Sequence, residues 1–101
     1  MENPRLPKRM TQTKTLIQQA ETDLEVVIRA RCLLFNDDYH TFDEVIEQLM
    51  LAIRCSARRA EEMAWQVHNQ GYAVVHVGAL EDCLDISAIL GEIDLRTEVQ
   101  L

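Results

Sequence analysis

Glycine and proline are scarce in this 101-residue chain, which holds three Gly and two Pro. So few Gly leave no glycine-rich phosphate loop, no collagen-like repeat and no low-complexity linker. Both prolines, Pro4 and Pro7, fall near the start. Cysteine is sparse too: Cys32, Cys55 and Cys83 are far apart, odd in number, and form no Cys-x-x-Cys pair or Cys/His zinc spacing. They read as reduced, small apolar residues of a cytosolic protein. No apolar run reaches the length of a membrane span, and no basic-then-apolar opening resembles a secretory signal. Positive charge is also short, with 10 Lys and Arg against 17 Asp and Glu and a net charge of −7. A duplex nucleic-acid binder needs a basic face to neutralise phosphates, so neither nucleic acid nor a membrane is an expected partner.

What is present is ordinary for a folded domain. Hydrophobic residues make up 48% and charged residues 27%, which excludes wholesale disorder and allows one modest core. Residues 1–23 differ from the rest. They hold both prolines, are rich in Thr, Gln and Lys, and carry a small positive charge, whereas 24–101 contain six Arg, no Lys and 14 acids. The expected organisation is a flexible N-terminal extension over 1–23 and one domain over 24–101.

Periodicity gives the elements of that domain. Val26, Ile28, Ala30, Cys32 and Leu34 recur at every second position, with Arg29 and Arg31 between them, which predicts a strand covered on one face. Asn36-Asp37-Asp38 stops it. Thr41-Phe42-Asp43-Glu44 is a capping box, and Phe42, Val45, Ile46, Leu49, Met50 and Ile53 follow on one helical face. Ser56 caps a second helix with the stripe Ala60, Met63, Ala64 and Val67, ended by Asn69 and Gly71. Tyr72 to Val77 reads as a second strand, broken by Gly78. Glu81, Asp82 and Asp85 favour a helix start, and Cys83, Ile86, Leu90 and Ile93 keep helical spacing. Leu95, Thr97, Val99 and Leu101 alternate with polar residues as a final strand. The order β-α-α-β-α-β, with three strands, predicts a two-layer α/β sandwich in which helices cover one sheet face.

Chemistry is thin. Ser56 and Ser87 lack a nucleophile elbow, and the cysteines sit in apolar contexts. His40, His68 and His76 show no zinc spacing and no partner pattern. No catalytic residue, metal or cofactor is expected. The unusual segment is Asn36-Asp37-Asp38-Tyr39-His40-Thr41, which is either a plain strand-to-helix turn or a cation site. Calcium lacks the EF-hand spacing and its Gly. A primary ammonium is another candidate, for which Asn and Asp supply fixed acceptors. His68, just past Val67, reads either as a partly buried histidine bonded to backbone or as another acceptor for the same ammonium. Trp65 and Tyr72 read as packing residues.

Leu33-Leu34-Phe35-Asn36-Asp37-Asp38-Tyr39, then Phe42-Asp43-Glu44-Val45-Ile46, resembles the signature of the ClpS family, the N-degron adaptors of the Clp protease. The block from Arg59-Ala60 through Val67-His68 to Gly71 resembles the same family, and the likeness runs from about Leu24 to Val99. It implies the same β-α-α-β-α-β sandwich, with a three-stranded antiparallel sheet against three helices. It also implies an adaptor that binds proteins beginning with Phe, Tyr, Trp or Leu, with Ile a further candidate, and hands them to a Clp-family Hsp100 unfoldase of the ClpA or ClpC type. By position, Asn36, Asp37 and His68 would hold the free α-amino group. Asp38, His40 and Thr41 would lie at the pocket mouth near the peptide backbone. Phe42, Val45, Ala64 and Leu95 would line the side-chain pocket, and Tyr39 and Glu81 would lie near the unfoldase. The implied location is the cytoplasm, or the stroma of a plastid.

The sequence also departs from the family's common form. His40-Thr41 replaces Thr-Pro and resembles the related domain of eukaryotic N-recognin ubiquitin ligases. Phe42 and Ala64 stand where many bacterial members carry Met, and Ile86 stands where a Lys often meets the unfoldase. Two readings stay open: an adaptor that grips N-terminal residues, and a ClpS-like interaction module that regulates a partner without doing so.

Overall fold

A computed structural model describes residues 27–101. The extension expected over 1–23, and the residues expected to open the first strand (Leu24 to Val26), lie outside the described residues. The elements are β1 (Arg29–Phe35), α1 (Phe42–Ile53), α2 (Ala57–Gln70), β2 (Tyr72–Ala79), α3 (Leu80–Gly91) and β3 (Thr97–Gln100). The strands form an antiparallel sheet in the order β2-β1-β3. The three helices supply most of the core on one face of it, so the expected two-layer sandwich is the fold.

The helix ends follow from local chemistry. The Thr41 hydroxyl accepts from the Glu44 amide at 3.1 Å, and the Glu44 carboxylate accepts from the Thr41 amide at 2.7 Å. Both halves of the capping box are therefore made. Ser56 caps α2 through the Arg59 amide. Gly71, at φ 89°, closes α2 in the left-handed conformation that a residue without Cβ adopts freely. The α2 stripe is buried as its spacing predicts, with Ala60, Met63, Ala64 and Val67 all at 4% exposure or less.

Some expected element bounds need correction. Gly78 does not break β2, which runs on to Ala79, because Gly78 pairs with Ala30 of β1. Ile93 lies beyond α3, and Leu95 and Leu101 lie outside β3. Gln48 of α1 is buried among apolar residues, and the helical stripe did not include it. Its amide donates to the Ile89 carbonyl at 2.7 Å, so the burial carries no unpaired donor.

The β1–β2 ladder slips by one residue. Cys32 faces His76 and Leu33 faces Val74, leaving Val75 as the extra residue of a bulge. The slip resets the alternation of β2. Val75 is buried, and the next side chain, His76, also turns under, with its Nε2 fully shielded and unpaired. On the far face of the sheet, Leu33 is buried at 7% between Val74 and Glu98 rather than facing solvent like Arg29 and Arg31. The Phe35 and Tyr72 rings lie 6.3 Å apart there, with the Arg96 guanidinium 4.4 Å over Phe35.

Candidate functional site

The β1–α1 loop is pinned on both flanks. The Phe35 amide donates to the Arg96 carbonyl at 3.0 Å, just before β3, and the Asn36 amide donates to the Gly71 carbonyl at 2.8 Å, where α2 gives way to β2. Loop residues 36–41 therefore leave the sheet at its centre, between the end of α2 and the turn that follows α3.

Asp37 organises the loop. Its Oδ1 accepts from the Tyr39 amide at 2.8 Å and the His40 amide at 2.9 Å, and its Oδ2 lies 2.7 Å from His40 Nδ1. The other ring nitrogen of His40 meets the Ile93 carbonyl. Partial burial works to raise the Asp37 pKa, but the two amides and the His40 ring outweigh it and hold the carboxylate below its usual range. His40 is pushed up, first by the Ile93 carbonyl and then by Asp37.

Behind the loop lies a cavity of about 250 Å³. Leu34, Ala64, Val67 and Leu95, all buried, form its floor, and Phe42 and Val45 of α1 form one wall. Asn36, Asp37, Asp38, His40, Thr41 and His68 rim it. An apolar cavity of ~150 Å³ holds benzene, so this one takes a single large side chain rather than an extended ligand. The His68 ring is exposed on the last turn of α2, not partly buried. It stands edge-on to Phe42 at 6.0 Å and to Trp65 at 5.9 Å.

The structure thus brings ten of the sequence-derived candidates to one cavity: Asn36, Asp37, Asp38, His40, Thr41, Phe42, Val45, Ala64, His68 and Leu95. Tyr39 and Glu81 do not line it; both are exposed, Tyr39 at 89%. Ile86 is a core residue at 6% exposure, so that position offers no surface contact. Sequence reasoning missed the partners of His40, although Asp-x-x-His across a turn was a readable signal for the Asp37 half. It also missed Leu34, Phe35 and Val67 as lining residues. Cys32 and Cys83 are fully buried free thiols, and burial, with Cys83 nearby, pushes Cys32 up to about 11. Among the described residues no group of three His, Cys, Asp or Glu is placed to hold a metal.

The fold is a small sandwich with a cavity that has an apolar floor and a polar rim. The chain belongs to the ClpS family: the family model for "ATP-dependent Clp protease adaptor protein ClpS" matches residues 25–94. Among solved structures, that of Agrobacterium tumefaciens ClpS2 bound to L-phenylalaninamide shares the fold. Its TM-score is 0.61 at 22% identity, covering 71% of this chain and 94% of that one. Curated relatives include the E3 ubiquitin-protein ligase UBR1 of Drosophila melanogaster, 39% identical over 51 residues, covering 50% of this chain and 3% of the ligase. The human E3 ubiquitin-protein ligase UBR2 is 32% identical over 71 residues, covering 67% of this chain and 4% of the ligase. This chain therefore spans only a few per cent of the length of those ligases.

Proposed function

We propose that this ClpS-family adaptor grips a polypeptide by its first residue, acting through binding and not catalysis. The observation that carries the reading is the placement of Asn36, Asp37 and His68 around the mouth of an apolar cavity sized for one side chain. A free N-terminus pairs an ammonium, which needs acceptors, with a side chain that needs an apolar enclosure. Asn36 Oδ1, the remaining lone pair of Asp37 Oδ2 and a ring nitrogen of His68 would supply three acceptors. Three of the roughly four acceptor positions of the Asp37 carboxylate are already used within the loop. The fourth is thereby pre-aimed at low cost in ordering.

An internal or acetylated residue brings no ammonium and leaves these acceptors facing a buried amide, at about 1–3 kcal/mol. The A. tumefaciens structure, with L-phenylalaninamide bound, supports the same reading. The first residues expected in the cavity are Phe, Tyr, Trp and Leu. The delivered cargo would pass to a ClpA- or ClpC-type unfoldase, with Tyr39 and Glu81 on the exposed surface available to it.

The test is a binding titration with a short peptide beginning with Phe, free against N-acetylated. Saturable binding of the free form alone supports gripping of N-termini. Equal binding of both forms, or none, would favour an interaction module that regulates a partner by another surface.

A further inference from the structure

His40 is held at both of its ring nitrogens. Its two ring nitrogens face two acceptors, Nδ1 the Asp37 carboxylate and Nε2 the Ile93 carbonyl. Neither acceptor can donate. A neutral imidazole carries one N–H and satisfies one of them, while an imidazolium satisfies both. The arrangement therefore specifies the protonated ring. That ring joins two segments 53 residues apart in sequence, the loop that presents Asp37 and the turn after α3.

Charged groups around the ring agree. Asp37 faces it from the loop, and Glu44, in the first turn of α1, adds negative charge while bonded to the Thr41 amide. The turn after α3 contributes the Ile93 carbonyl, flanked by the exposed acids Glu92 and Asp94. His68 of α2 is the other titratable group from a neighbouring element on the cavity rim.

We propose that His40 is a positioning residue: as an imidazolium it ties the Asp37 carboxylate to the turn after α3, so that the grip on a ligand's ammonium depends on the proton of this ring. The inference rests on the N-terminus reading above. Loss of the proton breaks one of the two links. If Nε2 keeps the hydrogen, Asp37 Oδ2 faces a lone pair and turns away. If Nδ1 keeps it, the loop is released from the α3 turn. Both outcomes move Asp37 from its aimed position without touching the cavity floor.

The test compares full-length wild type, His40→Ala and His40→Asn in binding a free-amine Phe peptide from pH 6 to pH 9. Titration of the ligand amine is common to all three proteins and cancels in the affinity ratios. The expected wild-type advantage over His40→Ala is about tenfold at pH 6, the loss of a hydrogen bond to charge, shrinking to about twofold by pH 9. His40→Asn keeps a donor near the Nδ1 position, so it should recover part of the affinity and show a constant ratio to His40→Ala across pH. Histidine ring NMR should show His40 protonated at pH values where an ordinary histidine is neutral. Equal affinities of wild type and His40→Ala at every pH, or a His40 ring titrating at or below the ordinary value, would overturn the proposal. If folded wild type binds no free-amine peptide, the N-terminus reading fails and the positioning role with it, while the ring titration still decides whether the two-acceptor clamp exists.

Discussion

The indole of Trp65 meets the ring of Phe42 edge-on, with centroids 4.5 Å apart and 62° between the planes. Phe42 lines the cavity and Trp65, 49% exposed, stands behind it. Trp65 is the chain's single tryptophan, so its emission reports on the pocket wall. Titration with a free-amine Phe peptide should give a saturable change in intensity or wavelength, and the acetylated peptide should give none. A Phe42→Leu variant that binds with the same spectral change would show that the signal does not pass through this contact.

The three acceptors differ in what else they hold. Asn36→Ala and His68→Ala should each weaken peptide binding by about 1–3 kcal/mol with the melting temperature nearly unchanged. Asp37→Ala should weaken binding by a similar amount and also lower stability, because it strips the loop of three hydrogen bonds. Calorimetric titration and thermal melts separate the two effects. Wild-type affinity in all three folded variants would remove the ammonium site.

Ala64 lies on the cavity floor at 2% exposure. Ala64→Met fills space beside the ligand's branch point. Peptides beginning with Ile should lose more affinity than those beginning with Leu or Phe, with differences of about 1–3 kcal/mol. Affinities measured for Phe, Tyr, Trp, Leu and Ile peptides decide it, and a uniform loss would mean that the floor does not discriminate shape.

Two groups of the loop link stability to pH in opposite directions. Asp37 is held below its unfolded value of about 3.9, so its contribution is present above that pH and lost as acid reaches its folded pKa. His40 is raised above about 6.5, so its contribution is full below that pH and lost as base reaches its folded pKa. Denaturant melts should show greatest stability between about pH 4 and 6.5. His40→Gln should flatten the alkaline limb, and Asp37→Asn should flatten both limbs. An unchanged alkaline limb in His40→Gln would contradict the assignment.

A Cβ at Gly78 would stand 2.8 Å from His76 Nε2, closer than packing allows. Gly78→Ala must therefore push the imidazole aside. The substitution should cost about 1 kcal/mol in wild type, the low end of overpacking, and little or nothing in a His76→Ala background. A double-mutant cycle from urea melts measures the coupling, and additive effects would mean that the ring already lies elsewhere in solution.

Much of this fold was legible because local chemistry and periodicity agreed. Thr41 and Glu44 announced α1, Ser56 and Gly71 bracketed α2, and the stripe from Ala60 to Val67 marked its buried side. Gly78 misled because a glycine in a strand signals a break only when nothing pairs with it, and here Ala30 of β1 does. Gln48 was invisible because its burial depends on a carbonyl 41 residues away. From residue type alone, loop 36–41 read either as a plain strand-to-helix turn or as a cation site, and the structure places most of it on the cavity rim. The role of His40 was not legible, since one of its partners is a backbone oxygen that no side-chain pattern records.

The turn between α3 and β3 serves both halves of the site. Ile93 offers its carbonyl to the loop, and Leu95, two residues on, enters the cavity floor. The turn is short and internally bonded, with the Asp94 amide on the Gly91 carbonyl and the Leu95 amide on the Leu90 carbonyl. A single piece of backbone thus fixes the spacing between the loop contact of Ile93 and the cavity lining at Leu95. On the proposed reading, one residue inserted there would shift the amine-holding loop and the cavity floor together.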